Sequence, residues 1–222
     1  MNYEVQNKTV LVTGANRGIG KALFDNYTAQ GADVLGTHRA PDAVAMRQLD
    51  VTDPASHAAL ATRLGDSAID LLVCNAGVYP DKGQSLETGY PADMWADGFA
   101  TNVTGVFLTI QHLLPHLRRA KGKIAIISSQ MASDTLAPGG SYIYRASKAA
   151  VLNLGRNLAT DLKPEGISVG IYHPGWVRTD MGGSAASIDT GASAAGLIAR
   201  FAALNPATTG CFETFEGKAH PY

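Results

Sequence analysis

The sequence has 222 residues, of which 45% are hydrophobic and 17% are charged, and this composition is typical of a globular protein rather than a disordered one. Its formal net charge of -1 at pH 7 gives no electrostatic reason to expect a nucleic acid or an anionic membrane as a partner. We expect neither a signal peptide nor a membrane span, because the first residues lack a charged-then-apolar order and no apolar run reaches bilayer length.

The N-terminal part of the chain predicts three strands and one helix. A β-branched run at 8–15 predicts a strand that ends in a glycine turn, and a helix follows that ends at Gly31. Two more strands are predicted at 32–38 and 44–50. The link between them, 38–44, is shorter than the ~10–12 residues that a helical crossover needs, so we expect no helix there.

The central part of the chain continues this alternation. A helix is predicted over 54–65, with Asp53 as its N-cap and Pro54 at its first position. The fourth strand follows at 69–77 and contains Cys74, one of the two cysteines of the sequence. A buried, unpaired cysteine is more typical of the reduced cytoplasm than of a disulfide-bonded protein, so we expect a cytoplasmic location.

The C-terminal half begins with a long predicted helix over 92–120, bent near Pro115. The remaining predicted elements are a strand at 123–129, a helix at 141–162, a strand at 167–175, a helix at 190–204 and a strand at 211–215. Strands that alternate with helices predict an α/β fold, with a central parallel sheet flanked by helices. No repeat or linker divides the chain, so we expect a single doubly wound, Rossmann-type domain over residues 1–222.

Three glycines lie in the turn after the first strand. Residues 13–20 read TGANRGIG and contain Gly14, Gly18 and Gly20. Glycines at this place let backbone N–H groups approach a pyrophosphate at the N-terminus of the following helix. An ordinary glycine-rich turn is the alternative, but the position of the motif in the first βα unit favours a dinucleotide site.

The stretch SYIYRASKAA, residues 141–150, contains two tyrosines and a lysine. Residues four apart share one face of a helix, so Tyr144 and Lys148 lie one turn apart. Tyr142 is six residues from the lysine and points away from it. The spacing therefore indicates Tyr144 as the tyrosine that is paired with a cation.

These two motifs belong to a longer series. Further members are NAG at 75–77, Asn102 in TNVTGVF, ISS at 127–129, YRASK at 144–148 and HPGWVRTD at 173–180. Together they resemble the short-chain dehydrogenase/reductase family from residue 8 to about 215, and most closely its C-factor-like carbonyl reductase subgroup. The resemblance implies an NADP(H)-dependent oxidoreductase that reduces an aldehyde or ketone to an alcohol, reversibly.

The resemblance implies a catalytic role for four residues. Tyr144 would donate a proton to the substrate oxygen, and Lys148 would favour the phenolate and bind the nicotinamide ribose. Ser129 would hydrogen-bond the substrate carbonyl, and Asn102 would hold a water that returns protons through Lys148. Ser129 precedes Tyr144 by fifteen residues, slightly more than is usual in the family, so Ser128 is the alternative.

The resemblance also implies a cofactor site at the ends of several strands. Its expected residues are Gly14, Asn16, Arg17, Gly18, Ile19, Gly20, His38, Arg39, Asp50, Val51, Asn75, Ala76, Gly77, Tyr144, Lys148, Pro174, Gly175, Val177 and Thr179. Asp50 and Val51 would contact the adenine, and Thr179 would orient the nicotinamide. Arg17 and Arg39 favour NADP(H) over NAD(H), because two guanidinium groups can bind a 2′-phosphate and no acidic residue ends the second strand.

The expected partners are a small carbonyl or alcohol substrate and further copies of the chain. A homodimer or homotetramer is expected, because related enzymes pair the helices that correspond to 92–120 and 141–162. The second of these helices has a face of small residues, for which the sheet is the alternative neighbour: Ala146, Ala149, Ala150 and Gly155. No metal is expected, because His112 and His116 have no third ligand near them in the sequence.

The segment after the sixth strand bears on the substrate. Trp176 either lines the substrate pocket or belongs to the local core. The stretch DMGGSAASID after Thr179 is short and rich in small residues, where family members usually build a lid, so we expect an open pocket.

Two other functions are compatible with parts of the sequence. One is a signalling or regulatory protein of the same fold that binds the cofactor with little turnover, although the complete catalytic set argues against it. The other is an epimerase or dehydratase of the longer nucleotide-sugar branch. Its glycine spacing differs, and this chain has few residues for a C-terminal sugar-binding lobe.

Overall fold

The computed structural model describes residues 5–40 and 46–222. The strands in these ranges are β1 (Thr9–Val12), β2 (Asp33–His38), β3 (Met46–Gln48), β4 (Leu71–Cys74), β5 (Lys123–Ile127), β6 (Ser168–His173) and β7 (Phe212–Thr214). They form one sheet in the order β3-β2-β1-β4-β5-β6-β7, and every neighbouring pair is parallel. Strands β4 and β6 are buried along their whole length, as expected for a parallel sheet covered on both faces.

The sheet is flanked by helices on both faces. In the described ranges these are α1 (Gly18–Ala29), α2 (Pro54–Leu64), α3 (Ala92–Phe99), α4 (Gly105–Ala120), α5 (Tyr142–Leu162) and α6 (Thr190–Ala203). Helices α2, α4 and α5 pack on one face around Leu60, Leu113 and Val151, and α1 and α6 pack on the other around Leu23 and Phe201. This arrangement confirms the predicted doubly wound α/β fold. Among the residues described, no helix is both long and apolar enough to cross a membrane.

The strand order reverses between β1 and β4. The chain moves outward from β1 through β2 to β3, and then crosses back so that β4 lies on the other side of β1. At such a reversal the loops that follow the two strands separate and leave a crevice at their carboxyl ends. The glycine turn follows β1 and the NAG segment follows β4, so the fold places these two motifs side by side at the crevice.

The helix predicted over 92–120 is divided in two. Helices α3 and α4 are joined by a π-helical turn, Ala100–Thr104, whereas Pro115 lies inside α4 without ending it. The helix is therefore interrupted at the π turn, and the bend near Pro115 stays a prediction. The widened turn carries Asn102, whose side chain bonds to the backbone of Val78 in the loop after β4. A contact with a distant loop, rather than the proline, accompanies the break.

Two predictions for the N-terminal half have different outcomes. The prediction that Asp53 caps α2 is confirmed, because its side chain accepts the N–H of Ala55 at 2.9 Å. The prediction that no helix links β2 and β3 falls largely on residues 41–45, which lie outside the described ranges. It stays a prediction.

The small-residue face of α5 is partly used by the sheet. A Cβ on Gly155 would lie 2.7 Å from Cγ1 of Ile171, which is closer than real side chains approach, and 3.0 Å from Cδ1 of Ile126. Gly155 therefore allows α5 to pack tightly on β5 and β6. For Gly155, the neighbour is thus the sheet, the alternative that the sequence left open, while a contact between copies of the chain stays a prediction.

Candidate active site

The glycine turn after β1 is held against the end of β4 by hydrogen bonds. Asn75 Nδ2 donates to the carbonyl oxygens of Thr13 at 2.9 Å and Gly14 at 3.2 Å. The Thr13 hydroxyl oxygen accepts the N–H groups of Asn75 and Ala76, both at 3.0 Å. Gly20 has no room for a side chain, because a Cβ there would overlap the Gly14 carbonyl oxygen. The two motifs predicted from the sequence therefore form one unit.

This unit has the features that a dinucleotide requires. Gly14 and Gly18 have left-handed φ values of 65° and 55°, which glycine adopts without strain. Helix α1 begins at Gly18, so its unpaired N–H groups and the positive end of its dipole lie at the turn. A Cβ on Gly77 would lie 3.2 Å from Asn102 Oδ1 and 3.4 Å from Lys148 Nζ, so the glycine leaves space beside these groups. The residues present therefore fit a nicotinamide dinucleotide.

The end of β2 presents basic and polar groups at the predicted adenosine end of the crevice. Arg39 is exposed there. Burial alone would raise the pKa of Asp50, but hydrogen bonds from Thr52 and the nearby charge of Arg39 outweigh it and hold the pKa below its usual value. His38 Nε2 is buried and has no hydrogen-bond partner among the described residues. A buried nitrogen without a partner is a candidate contact for a ligand.

Arg17, the other predicted phosphate ligand, is paired with an acidic residue. Its Nη1 lies 2.9 Å from Asp180 Oδ2, and the two side chains are 73% and 78% exposed. The pair connects the glycine turn to the segment after β6. An exposed ion pair of this kind contributes only ~0–1 kcal/mol. The sequence did not indicate this contact, because the two residues are 163 positions apart.

Tyr144 and Lys148 lie together on the buried face of α5. They are 7% and 5% exposed, and the lysine Nζ lies 5.6 Å from the centre of the phenol ring. Burial raises the pKa of Tyr144 to about 12, although a hydrogen bond with Ser129 acts in the opposite direction. Burial also lowers the pKa of Lys148 to about 8. At neutral pH the phenol is therefore protonated and the lysine is largely charged.

The two serines after β5 face different neighbours. Ser128 Oγ donates to the backbone carbonyl of Lys148 at 3.0 Å, so this hydroxyl is turned into α5. Ser129 Oγ accepts the N–H of Met131 at 3.1 Å, and its hydroxyl lies near enough to the Tyr144 phenol to oppose the rise in the pKa of that group. Of the two serines, the geometry favours Ser129 as the hydroxyl beside the phenol.

Tyr142 has a different environment from Tyr144. It is 37% exposed and meets Tyr90 edge to face, with 5.2 Å between the ring centres. Tyr144 instead lies inside the protein with Lys148. The structure therefore brings Tyr144, and not Tyr142, together with the lysine.

Asn102 is buried and connects three elements. Its Oδ1 accepts the N–H of Val78 at 2.9 Å, and its Nδ2 donates to the Val78 carbonyl and to Ser147 Oγ, both at 2.9 Å. Both amide hydrogens are thus used by the protein. The side chain therefore connects the π turn to the loop after β4 and to α5 by hydrogen bonds. The sequence did not predict this structural role.

The turn after β6 brings the last predicted cofactor residues to the crevice. Gly175 follows Pro174 and turns the chain with a φ of 89°. Val177 is buried. Thr179 packs against the glycine turn, because a Cβ on Gly18 would lie 3.3 Å from its Cγ2. The end of β6 therefore faces the end of β1 across the crevice.

Sequence reasoning missed three residues that contact Tyr144. Tyr79 stacks on its ring with 4.2 Å between the centres, and Asp81 accepts its backbone N–H at 3.2 Å. Met181 Sδ lies 3.9 Å from its hydroxyl. They could have been found from their place in the chain, because each follows the carboxyl end of β4 or β6, where ligands bind in such sheets. Trp176 is 52% exposed, so the alternative that places it in the local core is wrong.

Comparison with known proteins places this geometry among dehydrogenases and reductases. The sequence matches the family model of short chain dehydrogenases over residues 8–189. C-signal of Myxococcus xanthus is 37% identical over 166 residues, which cover 74% of this chain and 99% of that protein. The 3-oxoacyl-acyl-carrier-protein reductase FabG of Escherichia coli is 32% identical over 195 residues, which cover 82% of this chain and 77% of the reductase.

Solved structures show the same likeness. The crystal structure of NADPH-bound carbonyl reductase from chicken fatty liver superposes on the chain with a TM-score of 0.88. The superposition covers 98% of this chain and 100% of the reductase, at 30% sequence identity. The likeness therefore extends over nearly the whole chain.

Proposed function

The chain belongs to the short-chain dehydrogenase family and is an oxidoreductase, and we propose that it reduces an aldehyde or ketone to the alcohol with NADPH, reversibly. The observation that carries the proposal is the buried pair of Tyr144 and Lys148 beside Ser129. A proton donor next to a cation, at the edge of a dinucleotide cleft, is the arrangement that carbonyl reduction needs.

Tyr144 supplies the proton of the proposed reaction. Bound NADPH supplies the hydride. Because burial raises the pKa of Tyr144 to about 12, its hydroxyl keeps the proton at neutral pH until negative charge develops on the substrate oxygen. The Lys148 ammonium then stabilises the phenolate that remains, since it lies on the same helical face and is shielded from water.

Ser129 and Asn102 support this proton transfer. The Ser129 hydroxyl lies beside the Tyr144 phenol, whose pKa it lowers, so a substrate oxygen that enters between them would meet two donors. Asn102 Oδ1 has two lone pairs, and one accepts the N–H of Val78. Its second lone pair is our proposed anchor for a water that returns protons through Lys148.

The proposed cofactor preference is for NADP(H). The chicken liver carbonyl reductase that resembles this chain is NADPH-bound. Arg39 stands at the end of β2 in place of an acidic residue, where a carboxylate would repel a 2′-phosphate. Arg17 would join it after release from Asp180. The remaining expected contacts lie at the ends of β1 to β4 and β6 and, for Tyr144 and Lys148, on α5.

The walls of the crevice near Tyr144 favour an uncharged substrate. Val78, Trp176 and Met181 are exposed apolar side chains. Met181 contacts the Tyr144 hydroxyl, and Trp176 Nε1 donates to the carbonyl of Gly182, the residue after Met181, at 3.0 Å. We therefore propose that the carbonyl compound has an apolar body.

A second candidate function is signalling with little turnover, which the likeness to C-signal supports. A screen of NADPH oxidation over aldehydes, ketones, quinones and diketones separates the two functions. Turnover on any of these carbonyl compounds supports the reductase. NADPH binding without turnover on the whole panel supports the second candidate.

Tyr144→Phe should lower the rate of reduction by at least ~10²-fold and change NADPH binding little, because the ring is kept and only the proton-donating hydroxyl is lost. Lys148→Met should damage both kcat and NADPH affinity, since the ammonium serves both. Tyr142→Phe is the matched control and should keep its turnover. Steady-state kinetics with cofactor titration test this. An inactive Tyr142→Phe beside an active Tyr144→Phe would refute the assignment.

Reduction should decline as pH rises through about 8. Burial lowers the pKa of Lys148 to about 8, so its ammonium is present below that pH and is lost above it. A profile of kcat/KM from pH 6 to 10, with a substrate that does not titrate in this range, measures the effect. A rate that stays level to pH 10 contradicts the role of the ammonium.

Arg39→Asp should weaken NADPH binding by ~10-fold or more and NADH binding far less, because a carboxylate repels the 2′-phosphate. Arg119→Asp makes the same change of charge at the end of α4, where we expect no effect on either cofactor. Fluorescence titration gives both dissociation constants. Equal losses for NADPH and NADH in Arg39→Asp would show that this arginine does not recognise the phosphate.

We propose in addition that the enzyme is a homodimer or homotetramer formed through α4 and α5. Phe107 on α4 is an exposed aromatic side chain, which burial between two copies would cover. Light scattering at micromolar concentration should give two or four times the 23.2 kDa of one chain. A particle of one chain's mass would refute this assembly.

A further inference from the structure

Asp81, in the loop after β4, is a fully buried carboxylate that the proposed reaction does not use. Its exposure is 0%, and acidic side chains are almost never buried to this extent without partners. No ion pair within the described ranges includes it. Instead, Oδ2 accepts the N–H of Ile143 at 2.8 Å and Oδ1 accepts the N–H of Tyr144 at 3.2 Å. The N-terminus of α5 therefore satisfies the buried carboxylate.

These two bonds replace a cap that α5 lacks. Ser141, the residue before the helix, has a left-handed φ of 49° and makes no side-chain cap bond, and the first turn contains no acidic residue. Ile143 and Tyr144 are the second and third residues of the helix, whose N–H groups have no partner inside it. Asp81 supplies the acceptors from 62 residues earlier in the chain, and its charge is favourable at the positive end of the helix dipole.

The neighbours of Asp81 in the sequence contact the side chain of Tyr144. Tyr79 stacks on the phenol ring with an angle of 18° between the planes. Lys82 Nζ donates to the Met181 carbonyl at 3.0 Å, and Met181 in turn contacts the Tyr144 hydroxyl. This one loop segment thus contacts the tyrosine at its backbone, at its ring and, through Met181, at its hydroxyl.

We infer that Asp81 is a positioning residue for Tyr144 and acts through the first turn of α5. The inference rests on the proposed function, in which Tyr144 is the proton donor. Because the tyrosine is the third residue of its helix, fraying of the first turn would move its hydroxyl away from Ser129. A displacement of about 1 Å at a reacting group can cost ~10²-fold in rate.

The cofactor site should not depend on Asp81. Lys148 lies one turn further along α5, and its backbone carbonyl and Nζ are held by Ser128 and Ile127 at the end of β5. The glycine turn is held separately by Asn75. Loss of Asp81 should therefore lower kcat without lowering NADPH affinity.

Asp81→Asn keeps the size of the side chain but removes its charge and one of its two acceptors. It should lower kcat by at least ~10-fold and leave the NADPH dissociation constant within ~2-fold. Asp53→Ala is the matched control, because it removes the side-chain cap of α2. That variant should lower the melting temperature without lowering kcat at saturating NADPH. Titration of active sites with NADPH corrects each rate for unfolded protein.

The same substitution in a Tyr144→Phe background separates positioning from general stability. In single-turnover reduction, Asp81→Asn should cost less than ~2-fold there, because the hydroxyl that it positions is already absent. Equal losses in the two backgrounds, or no loss in the wild-type background, would overturn the inference. Undiminished turnover of Tyr144→Phe itself would instead overturn the proposed function, and the inference with it. If Asp81→Asn gives no protein that binds NADPH, the smaller Asp81→Ser variant is measured in the same two backgrounds, with the same outcomes.

Discussion

The candidate active site depends on the register of α5 against the end of β5. Two hydrogen bonds set this register and both involve Lys148. Ser128 Oγ donates to the backbone carbonyl of Lys148, and Lys148 Nζ donates to the backbone carbonyl of Ile127, each at 3.0 Å. With the helix held at this point, Tyr144 comes to lie one turn earlier, beside Ser129. A shift of the helix along the strand would separate all of these groups together.

The close packing of α5 on the sheet accounts for the shifted pKa values of Tyr144 and Lys148. Gly155 has no side chain at the contact with β5 and β6, so α5 packs tightly and excludes water from its buried face. Burial disfavours charged forms, which raises the pKa of Tyr144 to about 12 and lowers that of Lys148 to about 8. Both shifts oppose a resting phenolate. The proton therefore stays on the tyrosine until a substrate oxygen can accept it.

Several features of the site follow from residues that are near one another in the sequence. Asp53 caps the helix that begins one residue later, and such a bond depends only on local backbone geometry. Tyr144 and Lys148 are four residues apart on a helix, so the helical period alone puts them on one face. The glycine turn is similarly local, because Gly14 and Gly18 supply left-handed backbone within a single βα connection.

The sequence by itself therefore determined the order of strands and helices, the glycine turn and the pairing of Tyr144 with Lys148, because each depends on interactions within one or two turns of the chain. The tertiary structure decided the contacts between distant segments. Arg17 is bound to Asp180, 163 residues away, and Asp81 caps α5 at Tyr144, 63 residues away. Such contacts depend on which strands lie side by side and on how closely the helices pack against them. The helical or strand period of a sequence predicts which residues share a face of one element, but it does not predict which distant elements come into contact.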